Sequence, residues 1–466
     1  RKALVDSGLG EDLTGGGLET DMRQMSFTVG LKGLRAEGAE ATADKVEALV
    51  LSTLAELASG ANGHGLHADD IRAAINSVEF DLRENNTGSY PRGLALFFES
   101  LATWLYDGDP LLLLPFEGPL ARLKARIAAG EKVFEDLIRT YFLNNPHRAL
   151  VVLVPDATLG AKREAAEKAR LEAVRAALSP AELAELVEQT HTLRALQEAP
   201  DAPEDLARIP HLTLADLPRE NAALPQEART LKAAGTSAPL YVHELPTNGI
   251  AYLDLGLDLS AVPDELLPLV PILGRALMEM GTTQTSFVDL TRRIAMVTGG
   301  IWPQVFVSSV RQPTGEGGGV AADPCARLLL RAKATAENTP EMLDILAEIL
   351  AAPNFGDIER LTKIVLESKA RREQRLIPAG HTLASARLKA RYGVAQAMSE
   401  SMHGVTGFLA LRELAARMET DPQGVVRDLT RLLGLMLHRD TLITSITAEG
   451  PAIADIAPRL ERLAAT

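Results

Sequence analysis

Leu240-Tyr-Val-His-Glu-Leu-Pro-Thr-Asn-Gly-Ile-Ala-Tyr-Leu-Asp-Leu-Gly-Leu257 decides the fold class. Residues 240–245 and 250–257 are short runs rich in strand formers, and Thr247-Asn248-Gly249 stands between them. Asn-Gly tolerates positive φ at both centres of a tight turn, so the stretch predicts two strands joined as a hairpin. A helical pattern follows at once. Leu266, Leu267, Val270, Leu273 and Leu277 recur at helical spacing over about 264–280, and Gly281 is placed to stop that helix. Ser286 and Asp289 stand at capping spacing ahead of a helix over 286–298. Strands flank the loop 312–322, helices dominate from Glu337 to His438, and 440–448 is a closing strand. Strands and helices mix without the alternation that builds a parallel sheet, which is an α+β pattern.

Working outward to the N-terminal side, residues 1–24 are Gly-rich and read as irregular, and 25–34 reads as a strand. Val46, Leu49, Val50, Leu54 and Leu57 mark a helix over 41–59, and another spans 69–84. Pro91 opens a helix carrying Leu94, Phe97, Phe98, Leu101 and Trp104, two more helices lead to Asn144, and 148–155 is an apolar strand. Beyond Pro155 the composition turns to Ala, Glu, Lys, Arg and Leu. Leu171, Val174 and Leu178 form one helical stripe, and Leu183, Leu186 and Val187 begin a second. Ser179-Pro180-Ala181-Glu182 between them is a capping box with Pro at the first helical position, so 157–199 predicts a long helical hairpin. Prolines at 200, 203, 210, 218 and 225 then force an extended connection. Both α+β regions close with a helix, then His147-Arg148 or His438-Arg439, then a strand, which hints at a repeated fold.

Bulk properties narrow the function classes. The chain has 466 residues, 46% apolar and 24% charged, as in ordinary globular proteins. No apolar run approaches the ~20 residues of a membrane span. A net charge of -14 without any Lys/Arg block argues against a nucleic-acid partner. A single cysteine, Cys325, excludes an internal disulfide and a multi-cysteine zinc site.

Each candidate constellation has a plainer competitor. Of nine histidines only His64 and His67 are close, in a segment ending Asp69-Asp70. Two imidazoles and a carboxylate could hold zinc, but a loop leading into a helix with an acidic first turn accounts for the same residues. Glu79, Asp81 and Glu84 could be imagined as an acid/base set. Positions 79 and 81 point to different sides of a helix, and a solvated or ion-paired face is the simpler account. Gly15–Gly17, Gly299-Gly300 and Gly315–Gly319 match no phosphate-cradling pattern. Cys325 has no neighbouring His, and neither H-E-x-x-H nor H-x-x-E-H occurs. No catalytic or metal-ligating residue can be assigned from residue chemistry, and substrate-binding residues stay undefined.

A set of collinear short runs nonetheless resembles the presequence protease and falcilysin branch of the insulinase-type zinc peptidases. Phe27-Thr-Val-Gly-Leu-Lys-Gly33, Glu79-Phe-Asp-Leu-Arg-Glu84, Asn86-Thr-Gly-Ser-Tyr-Pro-Arg-Gly93 and Asn144-Asn-Pro-His-Arg148 belong to it. So do Thr247-Asn-Gly-Ile-Ala-Tyr252, Glu279-Met-Gly281, Thr298-Gly-Gly-Ile301, Ser385-Ala-Arg387, Met398-Ser-Glu400 and Gly404. The resemblance implies a clamshell of two similar halves around a peptide chamber, with zinc held by an H-x-x-E-H helix and a distal Glu of a first domain. It implies an α+β chain of two similar domains, each a mainly antiparallel sheet with helices on one face, joined by the long helical hairpin. Residues 1–155 then correspond to the second domain without its beginning, 156–230 to the hairpin and extended linker, and 231–466 to the third domain, an inactive copy of the catalytic fold. Anchored on Gly281, Ile272, Arg275 and Ala276 fall where His, Glu and His would stand, with Arg275 offering a positive charge to the chamber wall. Zinc is expected in the parent protein and none in this chain. Its expected partners are peptide substrates and the catalytic and C-terminal domains outside it, with no nucleic acid and no membrane, in a monomeric parent. The expected function is that of an inactive section of a zinc endopeptidase degrading short unstructured peptides such as targeting peptides. Its place would be the cytoplasm of a bacterium or the mitochondrial matrix of a eukaryote. The alternative is a naturally separate, non-catalytic peptide-binding subunit that serves an H-x-x-E-H partner.

Overall fold

The computed structural model describes residues 2–34, 38–60, 65–233, 236–310 and 323–465. The N-terminal portion contains α1 (Lys2–Asp6), β1 (Asp12–Glu19), β2 (Ser26–Lys32), α2 (Ala39–Ser59), α3 (Ala68–Glu84), α4 (Arg92–Trp104), α5 (Glu117–Ala128) and α6 (Val133–Ile138). Next come α7 (Leu159–Ala177), α8 (Pro180–Glu198) and α9 (Pro203–Leu206), then β3 (Glu227–Ala233), β4 (Thr236–Glu244), β5 (Ile250–Asp258), α10 (Val270–Glu279) and α11 (Phe287–Val297). The remainder is β6 (Gly300–Ser308), β7 (Cys325–Thr335), α12 (Thr339–Ala351), α13 (Ile358–Arg375), α14 (Gly380–Lys389), α15 (Val394–His403), α16 (Val405–Thr420), α17 (Pro422–Met436), β8 (Ile443–Ala448) and α18 (Gly450–Ala465). The protein is α+β. Its contacts form two compact units, Arg1–His64 with Phe134–Ala223 and Gly65–Val133 with Leu224–Thr466.

In the first unit β1 and β2 pair antiparallel from Asp12↔Lys32 to Glu19↔Ser26. Residues 12–19 are therefore a strand, although their glycines predict irregular chain. The register shifts between Thr14 and Gly17, and a Cβ on Gly15 would stand 2.6 Å from the Thr28 carbonyl oxygen. The glycines thus permit a bulge rather than abolish the strand. The strand expected at 148–155 does not form. Val151 and Leu153 are exposed, Leu153 at 91%, and the two-stranded ladder does not reach them. An extended segment without a pairing edge has no ladder to join. Helices α7 and α8 break where the sequence predicts. Ser179 Oγ accepts from the Glu182 amide at 3.2 Å and Glu182 Oε2 accepts from the Ser179 amide at 2.8 Å. Their apolar stripes, Leu171 and Val174 on one and Leu186 and Val187 on the other, are exposed.

The second unit is built on a six-stranded sheet of order β3-β4-β8-β5-β7-β6. Every neighbouring pair is antiparallel except β4 with β8. The hairpin expected from Asn248-Gly249 is overturned, because β8 lies between β4 and β5. The turn chemistry itself matches the expectation: Asn248 has φ 55 and Gly249 φ 77. What the local pattern lacks is any sign of a strand from two hundred residues downstream. The link must instead bridge two inter-strand spacings, about 10 Å, and Gly249 donates its amide to Glu449 just past β8. Apolar side chains of β5, β7 and β8 meet α10, α12, α13, α16, α17 and α18 in one continuous core.

Helix α3 docks on this unit through α11. Asn76 is 9% exposed, and its side-chain amide donates to the carbonyls of Ala295 and Thr298, each at 2.9 Å. Those carbonyls sit at the end of α11, where helical partners run out. Phe80 is buried against Gly299, whose Cβ would lie 2.4 Å from the ring. Asn76→Ala removes both donors and strands two carbonyls. A loss of about 2 kcal/mol is expected, and urea denaturation that moves by under ~0.5 kcal/mol would contradict this docking role.

Candidate functional site

Helix α10 follows β5 through a 3-10 turn at Leu267–Leu269, with Pro271 in its first turn. The helix expected from about residue 264 thus begins as a 3-10 turn at Leu267 and as α-helix at Val270, and it carries the three singled-out positions. Ile272 is 4% and Ala276 0% exposed, both packed in the core. Gly274 faces β6, and a Cβ there would stand 2.8 Å from Pro303 Cβ, so the helix lies too close to the sheet for a larger residue. Neither Ile272 nor Ala276 offers a donor to a metal, and Arg275 is a cation. The residues on this helix do not fit a zinc ion.

Arg275 is more constrained than a free charge on a wall. Its Nε and Nη2 donate to the two carboxylate oxygens of Glu279 at 2.8 and 2.9 Å. Nη2 also reaches Glu367 at 3.0 Å, and Nη1 donates to Ser368 Oγ at 2.6 Å and to the Ile364 carbonyl at 3.1 Å. Burial alone would lower its pKa, but the hydrogen bonds to Glu279 and Glu367 outweigh that and hold it above the ordinary value. Arg360 completes the cluster, donating Nε to the Glu279 carbonyl and Nη2 to its carboxylate while its guanidinium lies 4.1 Å from the Phe287 ring centroid. The cluster ties α10 to α13 and pairs the positive charge of Arg275 with the carboxylates of Glu279 and Glu367.

Beside this helix is a cavity of about 280 Å3, lined by Ile272, Arg275 and Pro303 and, from later helices, by Arg371, Arg372 and His403. No Asp or Glu lines it. Arg372 Nη2 donates to the Met402 carbonyl at 2.8 Å, while its buried Nη1 has no partner. Burial draws the Arg372 pKa below its ordinary value, leaving it cationic at neutral pH. His403 keeps an exposed edge. The protein around it and the Arg372 charge lower its pKa, so the neutral imidazole prevails near pH 7. Sequence reading missed Arg371 and Arg372 and saw His403 only as an isolated histidine.

The other candidates disperse. His64 and Gly315–Gly319 lie outside the described residues. His67 is the N-cap position of α3 without a side-chain cap bond, and Asp69 and Asp70 occupy its first turn. Asp70 lies 3.9 Å from Arg292. Glu79 binds Arg83 and Lys124. Its burial would raise its pKa, but those two partners bring it below the usual carboxylate value. Glu84 binds Lys333 and Tyr252. Cys325 is a half-buried free thiol at the start of β7. Among the described residues no three His, Cys, Asp or Glu side chains converge as a metal-holding group, and no helix is long and apolar enough to cross a membrane.

Comparison with known proteins gives these features a family context. The profile of a family described as associated with Peptidase M16, subfamily C, matches residues 153–414. Presequence protease 1, chloroplastic/mitochondrial, of Arabidopsis thaliana is 37% identical over 458 residues, 98% of this chain and 41% of that protein. Protein HypA of Clostridium perfringens is 30% identical over 385 residues, 82% of this chain and 37% of its own length. The mitochondrial presequence protease of Xenopus tropicalis is 26% identical over 450 residues, 96% of this chain and 41% of the relative. The chain spans about two fifths of the length of these relatives.

Proposed function

We propose that this chain, which belongs to the family associated with Peptidase M16, subfamily C, and is of the presequence-protease type, is a peptide-handling section of a zinc metalloendopeptidase that degrades short unstructured peptides. The observation that carries the proposal is the similarity to a named presequence protease along 98% of the chain. The parent's zinc and its general-base Glu belong, in this reading, to an H-x-x-E-H helix of a catalytic domain outside these residues, where the metal would activate the attacking water. Helix α10 is then the counterpart of that catalytic helix, with Ile272, Arg275 and Ala276 replacing its metal-binding and basic residues by packing and an ion-pair cluster. Residues 1–155 are assigned to a second domain, 156–230 to a connecting hairpin and linker, and 231–466 to a third domain. Peptides and the catalytic and C-terminal domains are the partners, in a monomeric parent working in the mitochondrial matrix or, for a bacterial source, the cytoplasm.

The test is direct. The purified chain is expected to bind substoichiometric zinc by metal analysis and to leave an unstructured fluorogenic peptide intact. One tightly held zinc per chain, or chelator-sensitive cleavage, would contradict the assignment of catalysis to another domain.

A further inference from the structure

Resting on the peptide-handling reading above, we propose that the cavity beside α10 is a subsite for a peptide carboxylate. Its lining brings three cation-bearing side chains, Arg275, Arg371 and Arg372, and the imidazole of His403 around a space of about 280 Å3 with no acidic residue. In a chain whose net charge is -14, a concave site whose only unpaired charges are the cations Arg371 and Arg372 is the opposite of the average surface.

The carboxylates nearest in the fold are already committed. Glu279 and Glu367 neutralise Arg275. Glu400 lies three residues before His403 on α15, but its Oε1 accepts from the Thr406 amide at 3.0 Å and pairs with Arg387 at 3.2 Å. Arg371 and Arg372 have no ion-pair partner among the described residues, and Arg372 keeps one buried amino group without a hydrogen bond. A half-buried guanidinium with one buried amino group left unpartnered is costly, and an anion entering the cavity would relieve that cost through Coulomb attraction. The neutral imidazole of His403 can add an N–H donor.

The rest of the lining selects the anion. Ile272, Pro303 and Val305 give the cavity an apolar wall, which suits a carboxylate carried beside an aliphatic side chain rather than a hydrated inorganic ion. Volume agrees, since about 280 Å3 lies at the lower end of ligand pockets and holds one or two residues. A peptide's C-terminal carboxylate and a Glu side chain share this chemistry, and the experiment separates them.

Fluorescence anisotropy on the 466-residue chain would use four versions of one unstructured peptide, with a free or amidated C-terminus and with Glu or Gln before the last residue. Amidation, or the Glu-to-Gln exchange, is expected to weaken binding about tenfold, the loss of a charge-assisted contact. Whichever change does so identifies the source. Arg371→Gln, on the exposed side of α13, and Arg372→Met are expected to erase that difference between peptides, Arg371→Gln while leaving the melting temperature within about 2 °C. Equal binding of all four peptides overturns the carboxylate subsite and leaves the peptide-handling reading standing. Absence of binding by every peptide overturns both. A preference that survives in Arg371→Gln and Arg372→Met also overturns the site, because the carboxylate is then read elsewhere.

Discussion

Glu84→Ala is expected to lower the stability of the second unit by about 3–5 kcal/mol, the cost of stripping one partner from a nearly buried ion pair. Glu84 Oε2 lies 2.6 Å from Lys333 Nζ, with side chains only 13% and 16% exposed. The ammonium is also held over two rings, 5.1 Å from the Phe80 centroid and 5.6 Å from that of Trp302. Cation–π attraction offsets part of the desolvation of Lys333 but supplies no full counter-charge. Tyr252 donates its hydroxyl to the other Glu84 oxygen at 3.2 Å. Burial, with Glu84 adding to it, pushes the Tyr252 pKa up to about 12. The folded state therefore keeps a proton that the unfolded chain loses near pH 10. Stability contributed by Tyr252 is present below about pH 10 and is lost as the pH rises toward 12. In Glu84→Ala the tyrosinate absorbance should appear at lower pH than in the wild type. Lys333→Met, which removes the charge that Glu84 balances, should be nearly as damaging alone and much less than additive with Glu84→Ala. Simple additivity in chemical denaturation would show that the two residues do not act as a pair.

The same region shows what a local pattern can and cannot reveal. Caps at Ser179 and Ser286, the turn at Asn248-Gly249 and the helix that carries Ile272, Arg275 and Ala276 were all legible, because each depends on residues within a few positions of one another. Pairing was not. β8 inserts between β4 and β5 from the far end of the chain, and nothing in residues 240–257 marks that insertion. The apolar run at 150–154 has a strand's composition yet no neighbouring strand. Asn76 is a polar residue inside a helix, a position without periodic signal, and its meaning appears only when the end of α11 stands opposite it. The cavity was equally hidden. Its basic side chains come from α10, α13 and the end of α15, spread over more than a hundred residues.

Converting α10 into a metal helix should fail for reasons of packing before those of coordination. The combination Ile272→His, Arg275→Glu and Ala276→His writes the H-x-x-E-H spacing onto residues 272–276. Ala276 has 0% exposure inside the core, so an imidazole there both overfills the site, at about 1–3 kcal/mol, and buries polar nitrogens without assured partners, at about 1–3 kcal/mol. Arg275→Glu replaces a guanidinium that binds two carboxylates by a third negative group beside Glu279 and Glu367, and it takes the Arg275 donor from Ser368 Oγ, while the Ile364 carbonyl keeps its bond from Ser368 Oγ. Ile272→His removes an apolar contact from the same face. Together the three changes are expected to cost about 5 kcal/mol or more, a large share of a typical domain's stability. The triple variant should melt well below the parent, and excess zinc should not restore its melting temperature. Arg275→Ala alone isolates the ion-pair share of that loss, about 2–3 kcal/mol for a partly buried cluster. A triple variant that melts with the parent and holds one zinc per chain would show that α10 tolerates the metal motif, and that packing is not what separates this helix from a catalytic one.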